Sequence, residues 1–363
     1  MKAAVCREFG VPLVIEDLRL ESPRAGEVRV RIAAVAICHS DITFTEGSWG
    51  GPLPALYGHE CAGIVEEVGA GVATASVGDH VVVTLIRSCG RCHSCVRGRL
   101  TECEGTVPLD ARQPVTDAKG EPVWQAMKTG GFAEEVLVHE SQVVRIPKEV
   151  PLPSASLLAC GVITGFGAVT NAARVPVGSH VVVIGTGGVG LNSIQGAHLS
   201  GARSVVAVDV SDSKVEAARR FGATHGVNSR TESLPDRVRD ITGGRGADYV
   251  FVTVGVKAAF DQSYALLAKG GSVVIVGLPP TGVTSEYDPT TIGVMGQRIV
   301  GTKMGDSRIQ RDIPALVDLY GQRRLKLDEL VTKTYPLEGI NDAIASVLRG
   351  DALRNVIVFP GVG

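Results

Sequence analysis

The sequence predicts two domains, a β-rich amino-terminal domain followed by an α/β domain with a doubly wound parallel sheet. Three observations support this fold class. The 363 residues exceed what one hydrophobic core usually holds. Short apolar runs separated by turn residues fill the chain up to about residue 147, whereas strands alternate with helices after the loop 147–153. The fractions of 44% hydrophobic and 20% charged residues are typical of a globular chain with a sizeable core.

The amino-terminal pattern is typical of a barrel-like β domain. Strand candidates rich in Val, Ile and Ala occupy 28–36, 63–68, 80–85 and 135–138, and glycines punctuate the chain between them. Helix signals are scarce in this half of the chain. We therefore expect many short strands that enclose one core.

The hydrophobic pattern of the second half of the chain predicts repeated βαβ units. A helical stretch at 154–173 leads into an apolar run at 180–184, a glycine turn, a helix at 189–200 and a strand at 204–209. Further helices are expected at 211–221, 234–242 and 257–267, and further strands at 248–254 and 272–276. Beyond residue 305, two helical stretches (313–320 and 340–348) and a strand (355–359) form a tail that the pattern alone does not assign to either domain.

Charge and cysteine content exclude several classes of function. The 36 Lys and Arg balance 38 Asp and Glu, so the basic footprint of a nucleic-acid-binding protein is missing. No apolar run approaches the ~20 residues of a membrane span, and the first residues lack the pattern of a signal peptide. We expect a cytoplasmic protein with a small-molecule partner. Eight cysteines are too dilute for a disulfide scaffold, and their clustering favours metal binding.

A glycine-rich turn in the first βαβ unit predicts dinucleotide binding. Gly185 permits a tight turn, Gly187 lets backbone N–H groups approach a pyrophosphate, and Gly190 allows close packing of helix and strand. Asp209 ends the next strand, where its carboxylate is expected to accept hydrogen bonds from ribose hydroxyls and to disfavour a 2′-phosphate. NAD is thus favoured over NADP. Lys214 is either a second ribose contact or a solvated helix lysine. The full motif comprises Gly185, Thr186, Gly187, Gly188, Val189 and Gly190.

Four clustered cysteines predict a structural zinc site. Cys89, Cys92, Cys95 and Cys103 lie on one polar loop, where four thiolates can surround zinc with no open position. An iron–sulfur cluster and four unrelated buried thiols are the alternatives.

A second zinc site is suggested by distant residues. Cys38 and His59 each follow a strand or turn, and Cys160 lies where the β half gives way to the α/β half. A set of two cysteines and one histidine is a known ligand set for catalytic zinc, which keeps one position open. On spacing alone, Cys160 is more typical of a small buried core residue than of a metal ligand.

These motifs together resemble the zinc-dependent medium-chain alcohol dehydrogenases nearly from end to end. The matching residues are Gly58-His59-Glu60 with Gly63, the four-cysteine loop, the glycine turn with Asp209, and Arg354 before an apolar strand. The resemblance implies a GroES-like β-barrel catalytic domain at 1–161, completed by 305–363. It also implies a Rossmann NAD-binding domain at 162–304.

The resemblance further implies roles around the metals. Cys38, His59 and Cys160 correspond to the catalytic zinc ligands, and the four-cysteine loop to the structural ones. Glu60 corresponds to an acidic residue behind the catalytic metal, and Asp41 to the carboxylate that orients His59.

Roles toward the cofactor and the proton also follow from the resemblance. Ser40 corresponds to the hydroxyl between substrate oxygen and cofactor ribose, but Thr43 stands where many relatives have a proton-relaying histidine. The proton then leaves through the ribose to solvent or through another base. The expected cofactor contacts are His39 and Arg354 at the phosphate, Thr164 and Val189 against the nicotinamide, and Val276 and Leu278 at its border.

The reaction that the resemblance implies is reversible hydride transfer between a primary or aromatic alcohol and NAD. The resemblance also implies a homodimer or homotetramer with two zinc ions per chain. Trp49, unless it is a core aromatic, and Leu85 are expected to line the substrate pocket, and Leu85 would admit a bulky or aromatic alcohol. Trp49, Gly50 and Gly51 lack the acidic side chains of glutathione-linked relatives. The segment 104–128 is expected to roof the pocket or to pack at a subunit edge.

Three other readings are compatible with parts of the sequence. A dehydrogenase acting on a thiol adduct of formaldehyde, such as one formed with mycothiol, is the alternative within the family. A non-catalytic relative that binds the cofactor without zinc chemistry would lack the Cys38, His59 and Cys160 triad, which this chain has. A nucleic-acid zinc module is opposed by the even charge.

Overall fold

The chain folds into two units, one formed by Met1–Gly161 together with Arg308 onward and the other by Val162–Ser307. The computed structural model describes residues 1–362. Residues 305–307, which the sequence interpretation assigns to the first domain, make hydrogen bonds within the second unit. The Ser307 hydroxyl donates to the Ile163 carbonyl at 3.2 Å, and the Gly305 carbonyl accepts from the Asn171 amide at 3.2 Å.

The amino-terminal part of the first unit consists of short strands with three short helices. The strands are β1 (Lys2–Cys6), β2 (Val14–Asp17), β3 (Arg19–Leu20), β4 (Glu27–Ala36), β5 (Ala55–Leu56), β6 (Glu60–Val68), β7 (His80–Val83), β8 (Val115–Thr116), β9 (Trp124–Gln125), β10 (Glu135–His139) and β11 (Val143–Arg145). The helices are α1 (His39–Thr45), α2 (His93–Val96) and α3 (Leu152–Ser156). Short 3-10 turns occupy Leu100–Glu102, Pro108–Ala111, Ala126–Lys128, Glu140–Gln142 and Leu157–Ala159.

The second unit alternates strands with helices, and the chain then returns to the first unit. Its strands are β12 (His180–Ile184), β13 (Ser204–Asp209), β14 (His225–Asn228), β15 (Ala247–Val252), β16 (Leu267–Ile275) and β17 (Arg298–Gly301). Its helices are α4 (Gly161–Gly167), α5 (Gly188–Leu199), α6 (Asp212–Arg219), α7 (Leu234–Ile241), α8 (Lys257–Ser263) and α9 (Pro289–Met295). The returning segment adds α10 (Ile309–Gly321), β18 (Val331–Tyr335), α11 (Ile340–Leu348) and β19 (Arg354–Val358).

The first unit is organised around β4, which lies at the centre of the largest sheet. The strand order is β11-β7-β6-β4-β19-β18, and β10 also pairs with β4. Every second residue of β4 from Val28 to Ile32 is fully buried, as period-2 side-chain alternation requires. Its last residue, Ala36, pairs with both Glu60 on β6 and Val356 on β19. This register brings the ends of three strands together at the site described below.

The segment 104–128 is part of the β unit itself. Its strand β8 pairs with β3, and its strand β9 pairs with β5 in the sheet β2-β1-β5-β9. Both pairings are within the first unit and fix the segment along its length.

The second unit has a six-stranded parallel sheet in the order β14-β13-β12-β15-β16-β17. All five residues of β12 are buried, because a central parallel strand is covered on both faces. The order reverses between β12 and β15, as in doubly wound sheets that bind dinucleotides at this point. The sequence interpretation missed β14, whose four residues include a glycine and an asparagine.

The predicted helical stretch over 154–173 is present, but it is broken at Cys160. The helical segments α3 and Leu157–Ala159 end at Cys160, whose φ of −146° and ψ of −68° are not helical, and α4 begins at the next residue before a π-helical turn at Ala168–Ala173. The break turns the Cys160 side chain into a buried cluster. Within residues 1–362, no single helix is long and apolar enough to cross a membrane, although 152–159 and 161–173 pass that test when joined across their break.

Candidate metal centres and cofactor site

Asp41 organises the beginning of helix α1 and the loop before β6. One of its carboxylate oxygens accepts from the Cys38 N–H at 3.0 Å, which caps the helix. The other accepts from the Gly58 N–H at 2.9 Å and faces His59 Nδ1 at 3.0 Å. Asp41 and His59 are completely buried. Because a carboxylate only accepts, Nδ1 is the donor in this pair, and in the neutral imidazole the Nε2 atom of His59 carries the lone pair.

Four buried side chains meet in front of that nitrogen. The ligand atoms of Cys38, His59, Glu60 and Cys160 all lie within 4.8 Å of one another. Among residues 1–362, nothing hydrogen-bonds His59 Nε2, although burial normally requires a partner for such an atom. Two thiols and one imidazole with an unpartnered ring nitrogen fit zinc, which prefers sulfur and nitrogen ligands.

The electrostatics of this cluster favour a bound cation. Hydrogen bonding from Cys160, together with His59 and Arg354, holds the pKa of the Cys38 thiol well below its usual value despite burial. Burial lowers the pKa of His59, but Asp41 and Cys38 more than offset this, so that it lies well above its usual value. The first shift favours a thiolate at Cys38, and the second reflects the negative charge of Asp41 and Cys38 beside the buried imidazole.

Glu60 forms a buried ion pair with Arg354. Glu60 begins β6 and Arg354 begins β19, and the Arg354 guanidinium donates to one carboxylate oxygen of Glu60. The other oxygen of Glu60 is buried without a hydrogen-bond partner among the described residues. Burial raises the pKa of Glu60 to about 7, although Arg354 opposes the rise. The sequence interpretation named both residues but not their pairing, which depends on the register of two distant strands.

The first turn of α1 carries the other polar residues predicted here. The Ser40 hydroxyl oxygen lies 3.6 Å from Cys38 Sγ, so it borders the cluster of Cys38, His59, Glu60 and Cys160. His39 is exposed. The Thr43 hydroxyl donates to the His39 carbonyl at 2.9 Å, a bond within the helix that occupies its proton.

The predicted pocket residues lie in the same unit. Trp49 is half-buried, and its ring meets that of Phe44 edge-on at a centroid distance of 5.0 Å. Phe44 in turn stacks on Tyr57, which immediately precedes Gly58. Leu85 is half-buried after the end of β7. Trp49 therefore belongs to an aromatic cluster whose other end lies one residue from the His59 loop.

The four remaining clustered cysteines form a second candidate metal centre. The sulfur atoms of Cys89, Cys92, Cys95 and Cys103 lie within 4.8 Å of one another. Backbone N–H groups point at three of the sulfurs: Cys89 N–H at Cys103, Cys92 N–H at Cys89, and Cys95 N–H at Cys92, at 3.3–3.5 Å.

The pKa values of Cys89 and Cys92 favour thiolates, whereas that of Cys95 does not. Backbone N–H donation lowers the pKa of Cys92 to about 6 and also lowers that of Cys89, whereas burial raises the pKa of Cys95 to about 12. A Cβ atom on Gly105 would overlap Cys89 Sγ, so the chain approaches the sulfurs as closely as backbone allows. Four sulfurs at this spacing fit a tetrahedral zinc with no open position.

The glycine turn of the second unit follows β12 as predicted. Gly185 has a φ of +95°, and a Cβ on Gly190 would overlap the Gly185 carbonyl oxygen. A Cβ on Gly187 would meet nothing within 4 Å. The open space beside Gly187 lies at the N-terminus of α5, where backbone N–H groups favour a phosphate. The turn thus fits a dinucleotide.

Asp209 is tied to that turn by a contact that the sequence interpretation did not anticipate. One carboxylate oxygen accepts from both the N–H and the hydroxyl of Thr186, at 2.9 and 3.0 Å. The other accepts from the N–H groups of Val210 and Ser211. The hydroxyl of Thr186, at the second position of the glycine motif, was the only feature of the sequence that pointed to a hydrogen bond with Asp209.

The other predicted cofactor residues are divided between the units. His39 and Arg354 lie in the first unit. In the second, Thr164 is buried with its hydroxyl 3.6 Å from Met304 Sδ, and Leu278 is exposed. Val276 is buried, and Val189 and Lys214 are half-buried.

Comparison with known proteins agrees with these features. Residues 24–148 match the alcohol dehydrogenase GroES-like domain, and residues 188–322 match the zinc-binding dehydrogenase domain. An NDMA-dependent alcohol dehydrogenase of Amycolatopsis methanolica is 38% identical over 98% of both chains. An S-(hydroxymethyl)glutathione dehydrogenase of Paracoccus denitrificans is 34% identical over 99% of both.

A solved structure of similar shape is the benzyl alcohol dehydrogenase of Acinetobacter calcoaceticus. It is 31% identical, with a TM-score of 0.93 over 99% of both chains. Together with the domain matches, this similarity confirms the predicted fold class, a GroES-like domain and a Rossmann domain.

Proposed function

The chain belongs to the zinc-dependent alcohol dehydrogenases, and on that premise we propose that it transfers hydride reversibly between a primary or aromatic alcohol and NAD, giving the aldehyde. The observation that carries the proposal is the buried cluster of Cys38, His59 and Cys160, in which His59 Nε2 is unpartnered. A dehydrogenase of this family needs such a ligand set beside a hydroxyl, and Ser40 supplies the hydroxyl.

Cys38, His59 and Cys160 are proposed to hold the catalytic zinc. A zinc ion bound there supplies a Lewis acid that lowers the pKa of an alcohol. Asp41 keeps His59 in the tautomer that presents Nε2, and it also holds the Cys38 backbone, so one carboxylate orients two ligands. Glu60, anchored by Arg354, keeps a buried carboxylate behind the ligands.

Ser40 is proposed to accept the hydrogen bond of the alcohol and to take over its proton. Thr43 does not continue this path, because its hydroxyl is engaged with the His39 carbonyl and does not titrate near neutral pH. From Ser40 the proton would pass to solvent on the side of a bound cofactor's ribose, or to another base.

Cys89, Cys92, Cys95 and Cys103 are proposed to hold a second zinc with a structural role. The backbone N–H groups that face three of these sulfurs stabilise thiolates, and four sulfur ligands leave no position for a substrate. Two zinc ions per chain follow from this assignment.

The second unit is proposed to bind NAD, which accepts the hydride when bound. The open space at Gly187 suits the pyrophosphate, and the charge of Asp209 opposes a 2′-phosphate. The remaining assignments rest on the family resemblance: Gly185, Gly188 and Gly190 in the turn, Lys214 at the ribose, His39 and Arg354 at the phosphate, and Thr164, Val189, Val276 and Leu278 at the nicotinamide.

A bulky or aromatic alcohol is the proposed substrate class. Leu85 leaves more room than the aromatic residue often found there in relatives, and Trp49, which packs on Phe44, offers an aromatic side chain in the same unit. The similarity to a benzyl alcohol dehydrogenase supports this choice.

Oxidation of a thiol adduct of formaldehyde is the second candidate. It is favoured by the similarity to an S-(hydroxymethyl)glutathione dehydrogenase. Trp49, Gly50 and Gly51 nevertheless offer no acidic side chains for a glutathione adduct, so a different thiol such as mycothiol would be the partner.

The first experiment measures initial rates of NADH formation with straight-chain, branched and aromatic alcohols, and with formaldehyde in the presence and absence of low-molecular-weight thiols. A clear optimum among free alcohols supports the main proposal. Activity only with formaldehyde and thiol together supports the second. Cys160→Ser is the control: it should abolish turnover while NAD binding, measured by fluorescence, remains. Undiminished turnover in Cys160→Ser would refute the metal assignment.

A cytoplasmic homodimer or homotetramer completes the proposal. The eight free thiols suit a reducing compartment, and strand β17 ends the parallel sheet with one backbone edge unpaired within residues 1–362. Light scattering on the purified protein would measure the assembly state.

A further inference from the structure

Arg87 is a buried arginine that the proposed reaction does not use. Its side chain is 5% exposed, and it donates three hydrogen bonds: to Gln142 Oε1 at 2.7 Å, to Asp110 at 2.8 Å, and to the Lys128 carbonyl at 2.9 Å. Gln142 donates to the same Lys128 carbonyl at 3.0 Å. Two buried side chains thus converge on one backbone oxygen.

The backbone at that oxygen is strained. Met127 and Lys128 have φ values of +49° and +59°, in the left-handed region that side chains other than glycine rarely adopt. Such a conformation persists only where the surroundings impose it. Lys128 is exposed, so its side chain contributes no packing that would explain the conformation. The Arg87 and Gln142 hydrogen bonds to its carbonyl supply the restraint.

The strained turn leads directly to the candidate metal site. The Gly131 N–H donates to the Gly58 carbonyl at 2.7 Å, immediately before His59, and the Phe132 N–H donates to the Tyr57 carbonyl at 2.9 Å. A Cβ on Gly131 would overlap the Cys61 sulfur, so the two segments are in backbone contact. A shift of the turn is therefore transmitted to the loop that carries His59.

The same network holds the predicted pocket wall. Gln142 donates to the Thr84 carbonyl at 2.8 Å, and the Arg87 N–H donates to the Leu85 carbonyl at 2.9 Å. The backbone beside the half-buried Leu85 is therefore held by Gln142, which the Arg87 side chain binds and which also binds the Lys128 carbonyl. One buried arginine links the pocket wall and the strained turn.

We propose that Arg87 is a positioning residue that holds the strained Met127–Lys128 turn and thereby sets the shape of the alcohol pocket beside Leu85. The inference about the pocket rests on the proposed alcohol dehydrogenase function. The inference about the turn does not, and the two are tested separately.

The turn is tested by limited proteolysis with trypsin. Trypsin attacks the carbonyl of lysine, and at Lys128 that carbonyl is held by Arg87 and Gln142. Arg87→Met keeps the unbranched apolar part of the side chain but removes the donors, so cleavage after Lys128 should accelerate about tenfold or more. Arg145→Met, at an exposed arginine on β11, is the matched control and should leave this rate unchanged. Equal cleavage in Arg87→Met and wild type overturns the proposal.

The pocket is tested by the KM values of Arg87→Met for a series of alcohols of increasing size. A misplaced wall should raise KM for the best bulky alcohol about tenfold while changing kcat and zinc content much less. A merely destabilised protein would lose activity equally for all alcohols. If cleavage after Lys128 accelerates in Arg87→Met but the order of the KM values for the alcohols is unchanged, the link between the turn and the pocket is wrong.

A rescue experiment isolates the strain. Glycine adopts a positive φ without cost, so Lys128→Gly added to Arg87→Met should lower the raised KM about fivefold. Lys128→Ala removes the same charge but keeps the strain and should restore nothing. Equal effects of the two substitutions contradict the proposal.

If Arg87→Met does not fold, Arg87→Lys, which keeps the charge but loses the planar fork, takes its place. A wild-type protein inactive on every alcohol refutes the proposed function, while the cleavage rate still decides whether Arg87 holds the turn.

Discussion

Replacing Asp41 by asparagine should weaken both the first unit and its metal site. The buried carboxylate accepts from the Cys38 and Gly58 N–H groups and from His59 Nδ1, at 2.9–3.0 Å. Asparagine offers one oxygen and one NH2 group. In the orientation with the lower free energy, the amide oxygen still accepts from the Gly58 N–H and His59 Nδ1, and the NH2 group faces the Cys38 N–H.

The magnitude follows from that orientation. One hydrogen bond to a charged acceptor is lost, at about 1.5–3 kcal/mol, and two buried donors face each other unsatisfied, at about 1–3 kcal/mol. We expect Asp41→Asn to lower the free energy of unfolding by about 3–5 kcal/mol and the melting temperature by roughly 10 °C. The His59 ring also loses the charge that orients it, which should cost about 10- to 100-fold in zinc affinity.

The assay compares the two metal centres in one sample. Zinc per chain is measured by mass spectrometry after dialysis against increasing chelator, and the melting temperature by calorimetry. Asp41→Asn should release one zinc at lower chelator than wild type does, while the four-cysteine centre serves as internal reference. Asp236→Asn, at an exposed ion pair with Arg239, is the control. A variant that melts like wild type and releases both ions at the wild-type chelator concentrations would refute the reasoning.

Three further predictions concern other parts of the chain. In Gly105→Ala the new Cβ would overlap Cys89 Sγ, so the four-cysteine centre should lose its zinc and one zinc per chain should remain. Zinc content is measured as above, and two retained ions per chain would contradict this prediction. Gly187→Ala should weaken NAD binding without changing the melting temperature, whereas Gly190→Ala, whose Cβ would overlap a carbonyl oxygen, should lower the melting temperature. Burial lowers the pKa of His180, so the unfolded chain binds more protons, and stability should fall as pH drops through about 6.5. Melting temperatures of His180→Asn should fall less steeply over that range, and parallel profiles would refute this.

Features formed by residues close together in sequence could be predicted, because the interactions that determine them are local. The glycine turn is short, and the strand before it and the helix after it are visible in the periodicity of the sequence. The four-cysteine loop needs only spacing within a few turns of chain. Both features lie where they were predicted, on elements whose residues are neighbours in sequence.

Features that depend on the register of distant strands were not accessible in this way. The pairing of Glu60 with Arg354 requires β6 and β19 to flank β4, and no spacing rule predicts that order. The helix break at Cys160 is likewise invisible in composition, because the residues on both sides of it have helical character. Tertiary contacts override local propensity at such positions.

The peptide of Gly58 shows how these distant contacts combine at the site. Its N–H donates to Asp41, on the first turn of α1, and its carbonyl accepts from the N–H of Gly131, which follows the turn that Arg87 holds. The residue before His59 is thus fixed from two sides by segments far apart in sequence. Because a buried ligand retains its orientation only when its backbone cannot move, loss of either support should affect the same imidazole. Asp41→Asn and Arg87→Met should therefore be non-additive in their effects on zinc release, whereas independent supports would give additive effects.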